Sequence, residues 1–392
     1  MTGQHPARLH MTIWHEGALE RRERMGSNPL ATPITEPSLA LEYTTMAELL
    51  HDAGYQTAHV GKWHLGDAGH YPETQGFDAN IGATFWGAPR TYWYPYKGER
   101  VTSAGNREHR YVPGLPFGEQ GEYLTDRLTD EAIVLIQRMQ GGPFFLHMSY
   151  HSPHTPIEGK PDLVAYYEKK IREGMNHQNA RYAAMVHNLD ENVGRLLETL
   201  DRLNLAKNTL VVFFSDNGGF EQVRDGEQVT NNVPLRSGKG SLYEGGIRVP
   251  LIVRWPGVAP AAAVCDEPVT STDFYPTLEA IIGLASKEGD GTSLLPLLED
   301  PDSSLARDTL FFHYPHYYFT TTPVSAIRHG DWKLLEYYED GSLELYNLIE
   351  DLAESNDVSA RYPDRTRDLH DRLQQWRTEV NAQLPKPNPD AR

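Results

Sequence analysis

Four short polar clusters hold most of the residues in this chain whose types and spacing could do chemistry. They are Gly61-Lys62-Trp63-His64-Leu65-Gly66, His151-Ser152-Pro153-His154-Thr155-Pro156, Ser215-Asp216-Asn217-Gly218-Gly219 and Arg236-Ser237-Gly238-Lys239-Gly240. Ammonium and imidazole groups bind and protonate an oxyanion, while an Asp-Asn pair offers oxygen donors to a hard cation. The inventory suits a compact oxyanion held beside a hard metal ion. Taken singly, each cluster has a plainer reading. Lys62 and Lys239 read as solvated surface lysines, His154 as a turn residue between prolines, and SDNGG as turn chemistry. SGKG is not a phosphate-binding loop, because the GxxxxGK[ST] spacing is absent. Joint occurrence at the ends of successive elements is what gives the set weight.

The elements that must position these clusters follow from patterning. The apolar run 210–214 stops at Ser215 and predicts a strand buried on both faces of a parallel sheet, with Asp216 and Asn217 at its carboxyl end, where open α/β sheets place ligands. Thr45 and Glu48 form a capping box for a helix that ends at Gly54. Residues 56–60 read as a strand delivering GKWHLG, 121–139 as a helix, and 143–150 as another buried strand. Tyr182, Met185, Val186, Leu189, Val193, Leu196, Leu197 and Leu200 share one helical face. A strand at 249–253 and a helix at 272–282, stopped by Gly283, complete a βαβα alternation that predicts a mostly parallel sheet covered on both faces. Beyond about 305, short strands around 311–312, 324–328, 332–337 and 343–346 predict an antiparallel sheet. A last helix carries Leu369, Leu373, Trp376 and Val380 on one stripe. The expected domains are 1–305 and 306–392.

The chain has 392 residues, long enough for about two domains with sizeable cores. Its formal charge of −18 argues against nucleic acid or an anionic membrane as partner. The single cysteine, Cys265, excludes an internal disulfide and a thiolate cluster, and no basic neighbour activates it. No apolar stretch approaches the ~20 residues of a membrane span. No signal peptide is visible at the N-terminus. Oligomeric state is not legible.

In order, GKWHLG, SPHTP, SDNGG and SGKGSLYEGGIRVPLIVRWPG resemble the formylglycine-dependent sulfatases of the alkaline-phosphatase superfamily. SAIRHGDWKLL and ELYNLIEDLAESND are similar to that family's smaller domain. The resemblance implies an alkaline-phosphatase-like α/β/α domain followed by a small antiparallel-sheet domain with a helix. It implies that Asp216 and Asn217 ligate Ca²⁺, and that Lys62 and Lys239 clamp the sulfate oxygens. His154 would protonate the leaving alcohol, and His64 would take up a proton as sulfate is expelled. The activity implied is sulfate-ester hydrolysis, in the periplasm or outside the cell.

Two family segments find no match in this chain: a strand ending in an Asp-Asp pair, and a Cys-x-Pro-Ser-Arg motif whose cysteine becomes the formylglycine nucleophile. Cys265 is not that residue. MTGQHPARLH is similar to the family segment directly after the motif. The expectation is therefore that the chain as printed lacks its nucleophile and most calcium ligands, is inactive, and folds poorly alone. Two other readings stand beside the sulfatase. One is a pseudoenzyme that binds sulfated glycans; the other is a two-metal phosphodiesterase, which would want imidazole where Asn217 stands. For substrate, the expectation is a sulfated carbohydrate rather than a simple aryl sulfate. His313 and His316 in FFHYPHYYF are placed at the pocket mouth. Tyr92-Trp93-Tyr94 reads either as core packing or as a surface for a sugar.

Overall fold

The computed structural model describes residues 1–20, 26–101, 107–115, 117–285 and 289–391. Its principal elements, in chain order, are α1 (His15–Leu19), α2 (Met46–Asp52), β1 (Gln56–Gly61), β2 (Ala79–Ile81), α3 (Leu124–Met139), β3 (Phe144–Ser149), α4 (Ala180–Arg202), β4 (Val211–Phe214), β5 (Leu251–Arg254) and α5 (Phe274–Ile281). There follow β6 (Thr309–Tyr314), β7 (Val324–His329), β8 (Trp332–Tyr337), β9 (Leu343–Asn347) and α6 (Pro363–Glu379).

Strand β1 lies at the centre of a parallel sheet, with β2 on one side and β3 on the other. Successive side chains point to opposite faces, so each strand feeds two cores. On one face Ala58 and Val60 of β1, with Leu146 and Met148 of β3, pack on Leu124, Leu128 and Leu135 of α3. On the other, Trp63, Phe77 and Phe145 pack around Ala47 of α2. Helix α2 starts as its capping box predicts: the Thr45 side chain accepts from Glu48 N–H at 3.1 Å, and Glu48 accepts from Thr45 N–H at 2.8 Å. Helix α4 is capped by Asn179, which accepts from Tyr182 N–H. It is held to α3 by buried Asn188 and Asn192, both donating to Asp126 Oδ1 at 2.8 Å. The fold is an α/β/α sandwich with a smaller antiparallel sheet and helix behind it.

The strand before Asp216 departs from expectation. Instead of entering the parallel sheet, β4 pairs antiparallel with β5, from Leu251↔Phe214 to Arg254↔Val211. Nor is it buried on both faces. Val211 packs among Ile136, Leu200 and Ala206, whereas Val212 is 41% and Phe214 37% exposed. An unbroken apolar run carries no period-two signal, so its neighbours decide which face is covered.

The C-terminal sheet has the order β6-β7-β8-β9, antiparallel throughout. Leu369, Leu373, Trp376 and Val380 bury the α6 stripe against Ile327, Leu334 and Leu345, and Phe311 stacks on Trp376. Residues from the beginning of the chain join this core. Ala7 is fully buried within it, His5 Nε2 lies 3.1 Å from Phe311 O, and His10 Nε2 lies 2.9 Å from Asn381 O. Leu30–Ala31 pairs with Lys386–Pro387. No described helix is long and apolar enough to cross a membrane.

Candidate active site

Lys62 and His64 leave the carboxyl end of β1. Lys62 N–H donates to Ser149 O at 2.7 Å, extending the pairing with β3. Gly61 has to be glycine: its φ is +102°, and a Cβ there would stand 2.0 Å from Ser149 O. The chain turns again at His64, whose φ is +63° and whose N–H donates to Thr84 O. The His64 ring lies against Gly87, where a Cβ would stand 2.2 Å from its Cε1. Its Nε2 lies 2.5 Å from Glu16 Oε2 of α1. Glu16 Oε1 in turn accepts from Arg110 Nη2 at 3.2 Å and from Gly87 N–H at 3.3 Å. Burial pushes the Glu16 carboxyl up, but His64 and Arg110 outweigh it and hold the carboxyl down at about 2.

His151 and His154 follow β3. Tyr92 OH donates to His154 O at 2.9 Å, and Ser152 Oγ donates to Met185 O, so the loop is tied to the core. Tyr92 is fully buried and stacked on Tyr123, which makes it a core residue. His154 Nδ1 is within hydrogen-bond reach of the Thr155 carbonyl and hydroxyl, at 3.0 and 3.1 Å. Burial first, then the charges of Lys239 and Lys62, hold its imidazole well below the ordinary range. His151 is pushed down to about 3 by burial, Lys62 and His64, and both its ring nitrogens are buried without a hydrogen-bond partner among the described residues.

The loops carrying Asp216, Asn217 and Lys239 interlock backbone to backbone. Gly218 N–H donates to Gly246 O at 2.9 Å, and Lys239 N–H donates to Gly219 O at 3.0 Å. A Cβ on Gly218 would lie 1.7 Å from Gly245 O, and one on Gly245 would lie 2.0 Å from Ser237 O. Asn232 staples the two, accepting from Gly219 N–H and donating to Ser237 O. Lys239 is held below its ordinary value by burial and by Lys62, with Asp216 opposing. Lys62 thus acts on His64, His151, His154 and Lys239, and Asp216 on Lys239, so residues from three strand ends and a loop are linked by charge into one cluster.

The C-terminal sheet braces this cluster from behind. Lys333 of β8 is fully buried, 3.0 Å from Glu244 Oε1 and 2.8 Å from Glu354 Oε1. Glu354 also accepts from Glu244 N–H at 2.6 Å, and Arg236 donates to Glu354 O at 2.7 Å. Thr320 Oγ1 donates to Lys239 O at 2.8 Å, and Tyr318 presses on Gly240.

His313 is not brought to the cluster. It is buried in the small domain, its Nδ1 2.6 Å from Ser325 Oγ and its Nε2 2.9 Å from Gln383 O, and burial pushes it down to about 4. Both nitrogens are spent on the fold, which corrects its placement at a pocket mouth. His316 is buried too, bonded to Thr12 Oγ1 at 2.8 Å, and it lines a small cavity with Gly17 and Thr35. Glu16 and Arg110 support the site and were not among the residues that the sequence singled out, whereas Tyr92 takes the core-packing role of its two readings.

Comparison with known proteins settles the family. A model of the family described as Sulfatase matches residues 11–284, and one described as N-sulphoglucosamine sulphohydrolase, C-terminal, matches 238–379. The chain belongs to the sulfatase family. A sulfatase of Formosa agariphila is 34% identical over 97% of this chain and 78% of its own length. Human steryl-sulfatase is 29% identical over 81% of this chain, and human N-acetylgalactosamine-6-sulfatase 32% over 73%. The chain spans 63% and 56% of those two enzymes. Among solved structures, Ps i-CgsB in complex with k-i-k-neocarrahexaose superposes with a TM-score of 0.74 at 28% identity, over 96% of this chain and 80% of that one. The alkaline-phosphatase-like sulfatase fold, with its small C-terminal sheet, is therefore the fold of this chain.

Proposed function

We propose that the protein hydrolyses a sulfate ester carried on a carbohydrate. The observation that carries this reading is the cationic cluster itself: the charges of Lys62 and Lys239 act on each other and both act on His154, inside a protein of net charge −18. Two half-buried ammonium groups that act on each other repel at a cost that an anion between them removes. A sulfate ester bound there would have its oxygens held by both lysines, which offsets charge developing on the transition state.

The same anion changes His154. Burial and the two lysines keep its imidazole neutral; a bound sulfate cancels the lysines' field and favours the protonated form. His154 thus gains its proton as substrate arrives, and Nε2 can pass it to the departing alcohol oxygen while Nδ1 is held by Thr155. His64 would take up a proton as sulfate is expelled. Asp216 and Asn217 offer oxygen donors, the kind that Ca²⁺ takes, and would supply two of its roughly six to eight ligands. A bound Ca²⁺ would add positive charge beside the sulfate. A formylglycine, the family's nucleophile, would supply the oxygen that attacks sulfur.

For the carbohydrate, the support is the likeness to Ps i-CgsB, crystallised with k-i-k-neocarrahexaose. The test is Lys239→Ala and His154→Ala in the full-length matured protein, assayed on nitrophenyl sulfate and on a sulfated oligosaccharide. Lys239→Ala should lower kcat/KM by about two orders of magnitude on both, since an oxyanion contact is worth roughly 3 kcal/mol. His154→Ala should damage the oligosaccharide, whose leaving alcohol needs a proton, far more than nitrophenyl sulfate. Activity within threefold of wild type in Lys239→Ala, or equal losses in His154→Ala, would overturn the assignment.

A further inference from the structure

We infer that Glu16 is a positioning residue for His64: it holds the ring with the proton on Nε2 and leaves Nδ1 as the nitrogen that accepts a proton. This rests on the reading of His64 as the base. Glu16 comes from α1, and nothing in the local sequence demands a buried acid there. It is nevertheless 9% exposed and paired with Arg110, 4% exposed, from a strand (Arg107–Tyr111) 94 residues away. A buried ion pair is costly to keep, so its retention calls for a role beyond stability.

The geometry supplies one. An ionised carboxylate only accepts, so the 2.5 Å contact fixes a hydrogen on Nε2. Nδ1 has no hydrogen-bond partner among the described residues. Gly87 on the ring face and the left-handed backbone at residue 64 leave the imidazole little freedom to rotate. When Nδ1 takes a proton, the imidazolium charge falls against Glu16, which the His64 contact and then Arg110 hold ionised against burial. The other charged or titratable groups facing His64 are Lys62, His15 and His151. Lys62 and His15 both oppose the protonated ring, and burial opposes it most. Glu16 is the group that favours it, through both its hydrogen bond and its charge.

The test follows the His64 imidazole by NMR in the purified full-length protein, with its resonances assigned by their loss in His64→Gln. In wild type, the ring-nitrogen shifts should report the Nε2–H tautomer. In Glu16→Gln the His64 titration should move at least one pH unit lower. The acidic limb of kcat should move with it, kcat should fall tenfold or more, and KM should stay within threefold. Glu16→Asp should restore part of the loss. An Nδ1–H tautomer in wild type would overturn the inference without any variant having to fold, and so would an unmoved His64 titration in folded Glu16→Gln. Either result, with His64→Ala still inactive, leaves the base reading standing; a fully active His64→Ala would remove both.

Discussion

Gly218→Ala isolates the interlock between the two loops that carry the cluster. The new Cβ would stand 1.7 Å from Gly245 O, where an ordinary contact begins at 3.4 Å, so the backbones must part by about 1.7 Å. No flexible side chain can yield, because the obstacle is a carbonyl. The separation breaks the 2.9 Å bond from Gly218 N–H to Gly246 O and the 3.0 Å bond from Lys239 N–H to Gly219 O. Two such bonds are worth about 1 kcal/mol each, and forced overpacking costs a further 1–3, so roughly 3–5 kcal/mol should be lost. Lys239 would also shift by more than 1 Å relative to Asp216 and Lys62, a displacement that costs about a hundredfold in rate. The assay pairs kcat/KM on nitrophenyl sulfate with the urea midpoint, both in the full-length protein. Gly226→Ala is the control: nothing lies within 4 Å of its Cβ position, and only its φ of +84° resists the change. It should lose about 1 kcal/mol and keep its activity. An unchanged midpoint and activity within threefold in Gly218→Ala would refute the interlock.

Lys333→Met should cost about 3–5 kcal/mol, because it leaves buried Glu354 without a cation and Glu244 with only the 3.8 Å contact to Arg248; a loss under 1 kcal/mol in urea would show that the network is not what braces the Lys239 loop. Gly194→Ala, in the interior of α4 with no atom within 4 Å of the added methyl, should stabilise by about 0.5–1 kcal/mol. Acid should weaken the fold early. His147 and His313 are pushed down to about 4 and His151 to about 3, against 6.5 in the unfolded chain. Below pH 6.5 the unfolded state binds protons that the folded state refuses, so stability present above 6.5 is lost as pH falls toward 4, by up to about 6 kcal/mol at pH 5. Glu16, held at about 2 against 4.5, adds its own loss below pH 4.5. A urea midpoint flat between pH 7 and 5 would contradict this.

The parts of the fold that sequence made legible are those whose pattern has a period or a local chemical signature. The Thr45–Glu48 box and the α4 and α6 stripes each announce themselves within a few residues. So does the carboxyl end of β1, because GKWHLG interrupts an apolar strand abruptly. The strand β4 was legible as a strand but not in its pairing, since five apolar residues in a row fit a parallel or an antiparallel neighbour equally. In the candidate site, Lys62, His154 and Asp216 were legible as candidates because they follow strand ends, and Lys239 because it sits in a glycine loop. Glu16 and Arg110 were not, because their meaning lies in a contact across 94 residues that no local window contains. His313 misled for the complementary reason: an aromatic-rich segment looks like a binding surface whether it faces a ligand or, as here, Trp376 and Tyr338.

The packing of residues 5–10 against the sheet and helix of residues 309–379, with the pairing of residues 30–31 and 386–387, bears on how the molecule comes to exist. His10 meets Asn381, a partner 371 residues away, and Ala7 is covered only once α6 is in place. A ribosome adding about 5–20 residues per second needs roughly 20–75 s to span that interval. Throughout it, the first segment has no surface to dock on, and Lys239 has no Lys333 or Glu354 behind it. Bracing of the Lys239 loop therefore waits until Lys333 and Glu354 have been made, and chains released before α6 emerges leave the bracing lysine without a covered sheet. A nascent chain stalled short of residue 363 would be a client for chaperones.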